Sequence, residues 1–77
     1  MRASKVNHPH LSPQQRRVLE LIATGHTDAD IAFLLGISPA TVSEYAGICL
    51  DKLGALNRAN ALAIALGRRV IKNPYEE

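Results

Sequence analysis

Thr27-Asp28-Ala29-Asp30-Ile31-Ala32-Phe33-Leu34-Leu35-Gly36-Ile37-Ser38-Pro39-Ala40-Thr41-Val42 reads as two helices with a very short connection. Thr27 followed three residues later by Asp30 is a capping signal, because a hydroxyl and a carboxylate can accept hydrogen bonds from the amides left free at a helix start. Ile31, Ala32 and Leu35 then fall on one helical face. Gly36 ends this helix after about two turns, and Ser38-Pro39 starts another, with serine as the cap and proline in the first turn. The joint spacing of Ala32, Gly36 and Val42, with Ile31, Leu35 and Ile37 as apolar neighbours, gives each residue a mechanical task. Ala32 is small enough to let the helices approach, Gly36 can take a positive φ in the tight turn, and Val42 plugs the angle between the helices. An ordinary αα-hairpin is the plainer reading of such a pair. This spacing, however, is the one that presents a second helix rigidly, as a helix-turn-helix does.

Outward from this pair, Ser12-Pro13-Gln14-Gln15 supplies a cap, a proline at the first helical position and a glutamine that closes a capping box. Helix one is expected over residues 13–24, with Val18, Leu19 and Ile22 on one face and Gly25 ending it. In helix three, Val42, Ala46, Cys49 and Leu53 form an apolar stripe that stops at Gly54. Asn57 caps a fourth helix that runs through Ala59, Leu62, Ala65 and Leu66, with Leu62, Ala65 and Leu66 on one face, and ends before Asn73-Pro74. No alternating β pattern competes. The expectation is an all-α domain of four short helices around a central helix-turn-helix, without a wing. Residues 1–10 read as a flexible basic arm, 11–73 as the domain and 74–77 as a tail.

Composition narrows the function. With 77 residues, 47% of them hydrophobic and 21% charged, the chain suits one small packed domain whose modest core favours help from a second subunit. The net charge is +2, and Arg2, Lys5, Arg16 and Arg17 all precede the first acid, Glu20, a skew that suits an anionic partner. The single cysteine, Cys49, excludes an internal disulfide and lies on the buried stripe as a packing residue. His8, His10 and His26 lack the companion ligands of a metal site and read as surface residues. No nucleophile triad, phosphate-binding glycine loop or carboxylate pair supports catalysis, and no cofactor is implied. No apolar run approaches the ~20 residues of a membrane span, and the N-terminus lacks a signal peptide's apolar segment, so the cytoplasm is the expected location.

With Val42 pointing inward, the opposite face of helix three holds Ala40, Glu44, Gly47 and Asp51, flanked by Ser43 and Ile48. That face carries no positive charge. In a major groove, Glu44 can accept a hydrogen bond from a cytosine amino group, and Ile48 can meet a thymine methyl. Alternatively, Glu44 and Asp51 are simply solvated. Tyr45, one turn from Val42, is read as packing against helix two. On helix four, Asn60, Ala63, Ile64 and Gly67 form a second face of mostly small or apolar residues, a surface for a dimer or for a further domain.

From Leu11 to Ile71 the chain resembles the LuxR (GerE-like) family of bacterial transcription regulators. The resemblance runs through Leu11-Ser12-Pro13, Val18-Leu19, Ile22-Ala23, Gly25, Asp30-Ile31-Ala32, Leu35-Gly36-Ile37-Ser38, Thr41-Val42, Lys52-Leu53-Gly54, Arg58 and Ala61-Leu62. It implies that helix three reads the major groove of double-stranded DNA while helix four pairs two copies on a palindromic site. By position it implies phosphate contacts from Thr41, Lys52 and Arg58, and base contacts from Ser43, Glu44 and Gly47. The family often has a basic residue at Ser43, a histidine at Tyr45 and an asparagine at Ile48, so this chain departs where the chemistry of base reading is concentrated. Phosphate affinity then rests on Arg16, Arg17, Lys52, Arg58 and the arm. A second reading is a protein-interaction module that pairs with a LuxR-type regulator or RNA polymerase.

Overall fold

A computed structural model describes residues 10–72. Most of the expected arm, and the expected tail with Asn73-Pro74, lie outside the described residues. Four helices follow in order: α1 (Pro13–Ala23), α2 (Asp28–Leu35), α3 (Pro39–Leu53) and α4 (Arg58–Gly67). No strand occurs among the described residues.

Local chemistry starts each helix. The Gln15 amide donates to Ser12 Oγ at 3.1 Å while the Ser12 amide donates to Gln15 Oε1 at 3.0 Å, a complete capping box. Thr27 and Asp30 do the same for α2, at 3.1 and 3.3 Å. Ser38 Oγ accepts from the Thr41 amide at α3, and Asn57 Oδ1 accepts from the Asn60 amide at α4. Each bond satisfies an amide that has no partner within its own helix, typically worth about 1 kcal/mol. Gly36, at φ +70°, occupies the left-handed region and closes α2.

The axes of α2 and α3 then turn by 104°. Val18, Ile31, Ala32 and Val42 are buried together inside this corner, with Leu35, Ile37 and Tyr45 packed at its edge. Val18, Ile31 and Val42 are completely covered. At about 1.5–3 kcal/mol for each large aliphatic side chain removed from water, this cluster fixes the angle of the pair. A second cluster joins α1, α3 and α4 through Leu11, Leu19, Cys49, Leu53, Ala61, Ala65 and Ile71. The Cys49 thiol donates to the Gln15 carbonyl at 3.4 Å, and burial pushes its pKa up to about 11. It is a packed, protonated thiol at neutral pH.

Helix four agrees with its sequence reading in extent, and its packing is finer than that reading. It ends at Gly67, before Asn73-Pro74 as expected, where Arg68 caps it and Arg69 turns the chain at φ +59°. Its buried residues are Ala61 and Ala65, whereas Ala59 is exposed and Leu62 and Leu66 are half-buried. Nearly every residue from 59 to 66 is apolar, so hydrophobicity alone did not distinguish the inner from the outer side.

Candidate nucleic-acid interface

The corner leaves the outer side of α3 open. Ala40, Ser43, Glu44, Gly47 and Asp51 are exposed, and Ile48 is half-buried beside them. Tyr45 packs against the corner cluster, so its ring braces α3 against its neighbours. Thr41 is half-buried, and its hydroxyl lies 2.9 Å from Ser38 Oγ, drawing it into the cap of α3. The first turns of α3 therefore present Ser43, Glu44 and Gly47 on a short, rigid platform.

The basic residues singled out from sequence are divided. Arg16 and Arg17 are exposed on α1. Lys52 Nζ donates to Gln15 Oε1 at 2.9 Å and to the His10 carbonyl at 3.3 Å, tying the end of α3 to the start of α1. Arg58 makes a two-pronged pair with Asp28, Nη1 to Oδ1 at 2.6 Å and Nη2 to Oδ2 at 3.0 Å. This fork holds the Asp28 carboxyl below the usual carboxylate range and raises the guanidinium's pKa further. Its geometry joins the first turn of α4 to the first turn of α2 across thirty positions of sequence. The fork itself was missed in sequence reading, since nothing local marks residues so far apart as partners.

The expected second face of α4 is not brought together as a unit. Ala63 and Gly67 are exposed, but Ile64 packs against the α1–α3–α4 cluster. The Asn60 side chain accepts from the Leu56 amide at 2.9 Å and braces the turn before α4. Ala59, Ala63 and Gly67 form the outward line instead, four residues apart.

Charge is segregated along the chain. From Val18 to Asp51 there are Glu20, Asp28, Asp30, Glu44 and Asp51 and no Lys or Arg. The cations of the described residues lie at Arg16 and Arg17 before that stretch, and at Lys52, Arg58, Arg68, Arg69 and Lys72 after it. Arg68, Arg69 and Lys72 were also missed, although a dibasic step followed by lysine just past the last apolar turn is a recognisable signal.

A near-perpendicular helix pair with a packed corner and an open outer face on its second helix defines a helix-turn-helix module. Residues 9–65 match the family model described as GerE, bacterial regulatory proteins, luxR family. The chain is 34% identical over 64 residues to transcriptional activator protein BjaR1 of Bradyrhizobium diazoefficiens, a match covering 83% of this chain and 26% of that protein. It is 38% identical over 63 residues to the probable transcriptional regulatory protein NarL of Mycobacterium tuberculosis, covering 82% and 29%. The solved structure described as VqmA bound to DPO matches with a TM-score of 0.74 at 30% identity, over 86% of this chain and 32% of that one. The chain therefore belongs to the luxR family of bacterial regulatory proteins, as a helix-turn-helix DNA-binding domain of a non-enzyme family. It spans between a quarter and a third of the length of these relatives.

Proposed function

We propose that this domain binds a two-fold site in double-stranded DNA as a homodimer, in the bacterial cytoplasm, with α3 in the major groove. The observation that carries the reading is the packed 104° corner, which buries Val42 completely while leaving Ser43, Glu44 and Gly47 exposed on the opposite side of the same helix. Ser43 and Glu44 are the base-reading side chains, and Gly47 lets the helix backbone approach the groove. Arg16, Arg17, Thr41, Lys52 and Arg58 position phosphates. Lys52 and Arg58 do so while also bracing the fold, since each keeps further N–H groups beyond those bonded within the chain. The dimer contact runs along Ala59, Ala63 and Gly67, where the absence of large side chains permits close helix approach.

Selection of duplexes from a random pool, repeated at two salt concentrations, tests this reading. The expected result is enrichment of a symmetric sequence whose affinity falls with salt. A folded protein that enriches no sequence at either concentration overturns it.

One observation favours a second reading, a module that docks on another regulator or on RNA polymerase. Phe33 is 88% exposed and Leu34 55% exposed on α2, and the outer face of α3 carries no cation. Tight binding of the isolated chain to a selected DNA site counts against it.

A further inference from the structure

The residues that follow α4 complete a second charged surface. Between α1 and the chain leaving α4 lies an open trough made of two adjoining clefts, of about 440 and about 260 Å³. Arg16 and Arg69 line both, Lys72 joins the larger, and Arg68 and His10 join the smaller. Among the described residues, Glu20 is the one acid on either lining. Arg16, Arg68, Arg69 and Lys72 make no side-chain hydrogen bond or ion pair among the described residues, in contrast to Lys52 and Arg58.

Arg69 adds an independent observation. It sits at φ +59°, in the left-handed region, and no other non-glycine residue among those described has a positive φ. The Val70 amide donates back to the Ala65 carbonyl at 2.8 Å and the Arg69 amide to that of Leu66 at 3.2 Å, the closing bonds of a helix end that normally places glycine at this position. An arginine here opposes the backbone preference of its own turn. Strain held at one residue points to a use for its side chain, and this side chain lines the trough.

We propose that the trough binds the phosphate backbone of DNA, as a second site distinct from the outer face of α3. The ligand class rests on the DNA-binding reading above, and three features favour a polymer backbone. The trough is open, whereas a small-molecule site encloses most of its ligand. Its cations are spread along it and not focused on one point, which suits successive phosphates. It is also continuous with the end of α3, because Lys52 holds the carbonyl of His10 and His10 lines the smaller cleft. The site supplies the positive charge that the stretch from Val18 to Asp51 lacks.

The test compares the whole chain with Arg69→Gly, Arg69→Lys and Arg16→Ala on a random-sequence duplex and on the duplex enriched by selection, between ~50 and ~200 mM salt. For Arg69→Gly and Arg16→Ala we expect the slope of log affinity against log salt to become shallower by about 0.9 each, which shrinks the loss of affinity over that range about threefold. Arg69→Lys retains the slope. Arg69→Gly melts at the same or a higher temperature, because glycine relieves the turn, so its binding defect cannot come from unfolding. An unchanged slope in Arg69→Gly overturns the trough whatever Arg16→Ala does, since Arg16 also serves the α3 reading, and a retained preference for the enriched site then leaves the α3 reading standing. Shallower slopes on the random duplex without any site preference support the trough and remove the α3 reading. Binding to anionic phospholipid vesicles, sensitive to Arg69→Gly, in place of binding to DNA overturns the assignment to nucleic acid.

Discussion

The corner formed by α1, α2 and α3 and the seam formed by α1, α3 and α4 share two helices but differ in packing and charge. The corner is filled by Val18, Ile31, Ala32 and Val42, mostly β-branched side chains with few rotamers, and the stretch from Val18 to Asp51 that includes it has acids and no Lys or Arg. The seam is filled by leucines, alanines, Cys49 and Ile71, and its edge carries Arg16, Arg68, Arg69 and Lys72. The corner sets the direction of α3, while the seam concentrates positive charge. In this domain the orientation of the reading helix and the attraction to phosphate are therefore separable, and substitutions on one side should leave the other largely intact.

The largest expected effect comes from breaking the corner. Val42→Asp places an unpaired carboxylate in a fully buried site, a cost of about 3–5 kcal/mol, comparable with the whole stability of a domain this small. The expected outcome is loss of the cooperative thermal transition in circular dichroism, and a native-like melt would show that the corner is more yielding than its packing implies. Two glycine substitutions then sharpen the contrast between shape and space. A Cβ at Gly36 meets nothing within 4 Å, so Gly36→Ala suffers only from the positive φ, a loss of about 1 kcal/mol. Gly47 is helical and its Cβ also meets open space, so Gly47→Ala should raise stability by about 0.5–1 kcal/mol. Thermal melts of the two variants should shift in opposite directions.

The corner was the more legible of the two regions. Its signals are short-range: caps three residues apart at Thr27 and Asp30, a glycine at the turn, and a stripe through Val42, Ala46, Cys49 and Leu53. Helical period also placed Glu44, Gly47 and Asp51 on the open side of α3. The seam was harder for physical reasons. In α4 seven of ten positions are alanine, leucine or isoleucine, so the fully buried Ala61 and Ala65 do not stand out from the half-buried Leu62 and Leu66. The end of α4 is expected only before Asn73-Pro74, whereas the left-handed turn falls at Arg69, and no propensity predicts an arginine there. The Asp28–Arg58 fork depends on the tertiary fold bringing α2 and α4 together.

That fork is the strongest polar link between the first turns of α2 and α4, and its expected effect is smaller. Both side chains are partly exposed, which limits the coupling between them to about 1 kcal/mol despite the paired geometry. A double-mutant cycle of Asp28→Asn and Arg58→Ala measures it. Because Arg58 lowers the folded carboxyl's pKa, the stabilisation is complete above the unfolded aspartate value of about 3.9 and is lost as the pH falls through the lower folded value. The coupling energy should therefore be constant from neutral pH down to about 5 and vanish in stronger acid. A coupling unchanged at the lowest pH would assign it to packing and not to charge.

Lys52 lies where the two regions meet, and Lys52→Ala should have the smallest effect on the fold. Its ammonium bonds Gln15 Oε1 and the His10 carbonyl, but Gln15 Oε1 also accepts from the Ser12 amide, so the capping box of α1 persists without it. The expected loss is about 0.5 kcal/mol, read as a small downward shift in melting temperature. Binding is more informative, since one phosphate contact removed should flatten the salt slope by about 0.9. If Lys52 and the trough hold different phosphates, that decrement adds to those of Arg16→Ala and Arg69→Gly, because each contact releases its own counterions. A triple variant whose slope changes no more than Lys52→Ala alone would instead mean that the end of α3 and the seam hold the same phosphates in alternative ways.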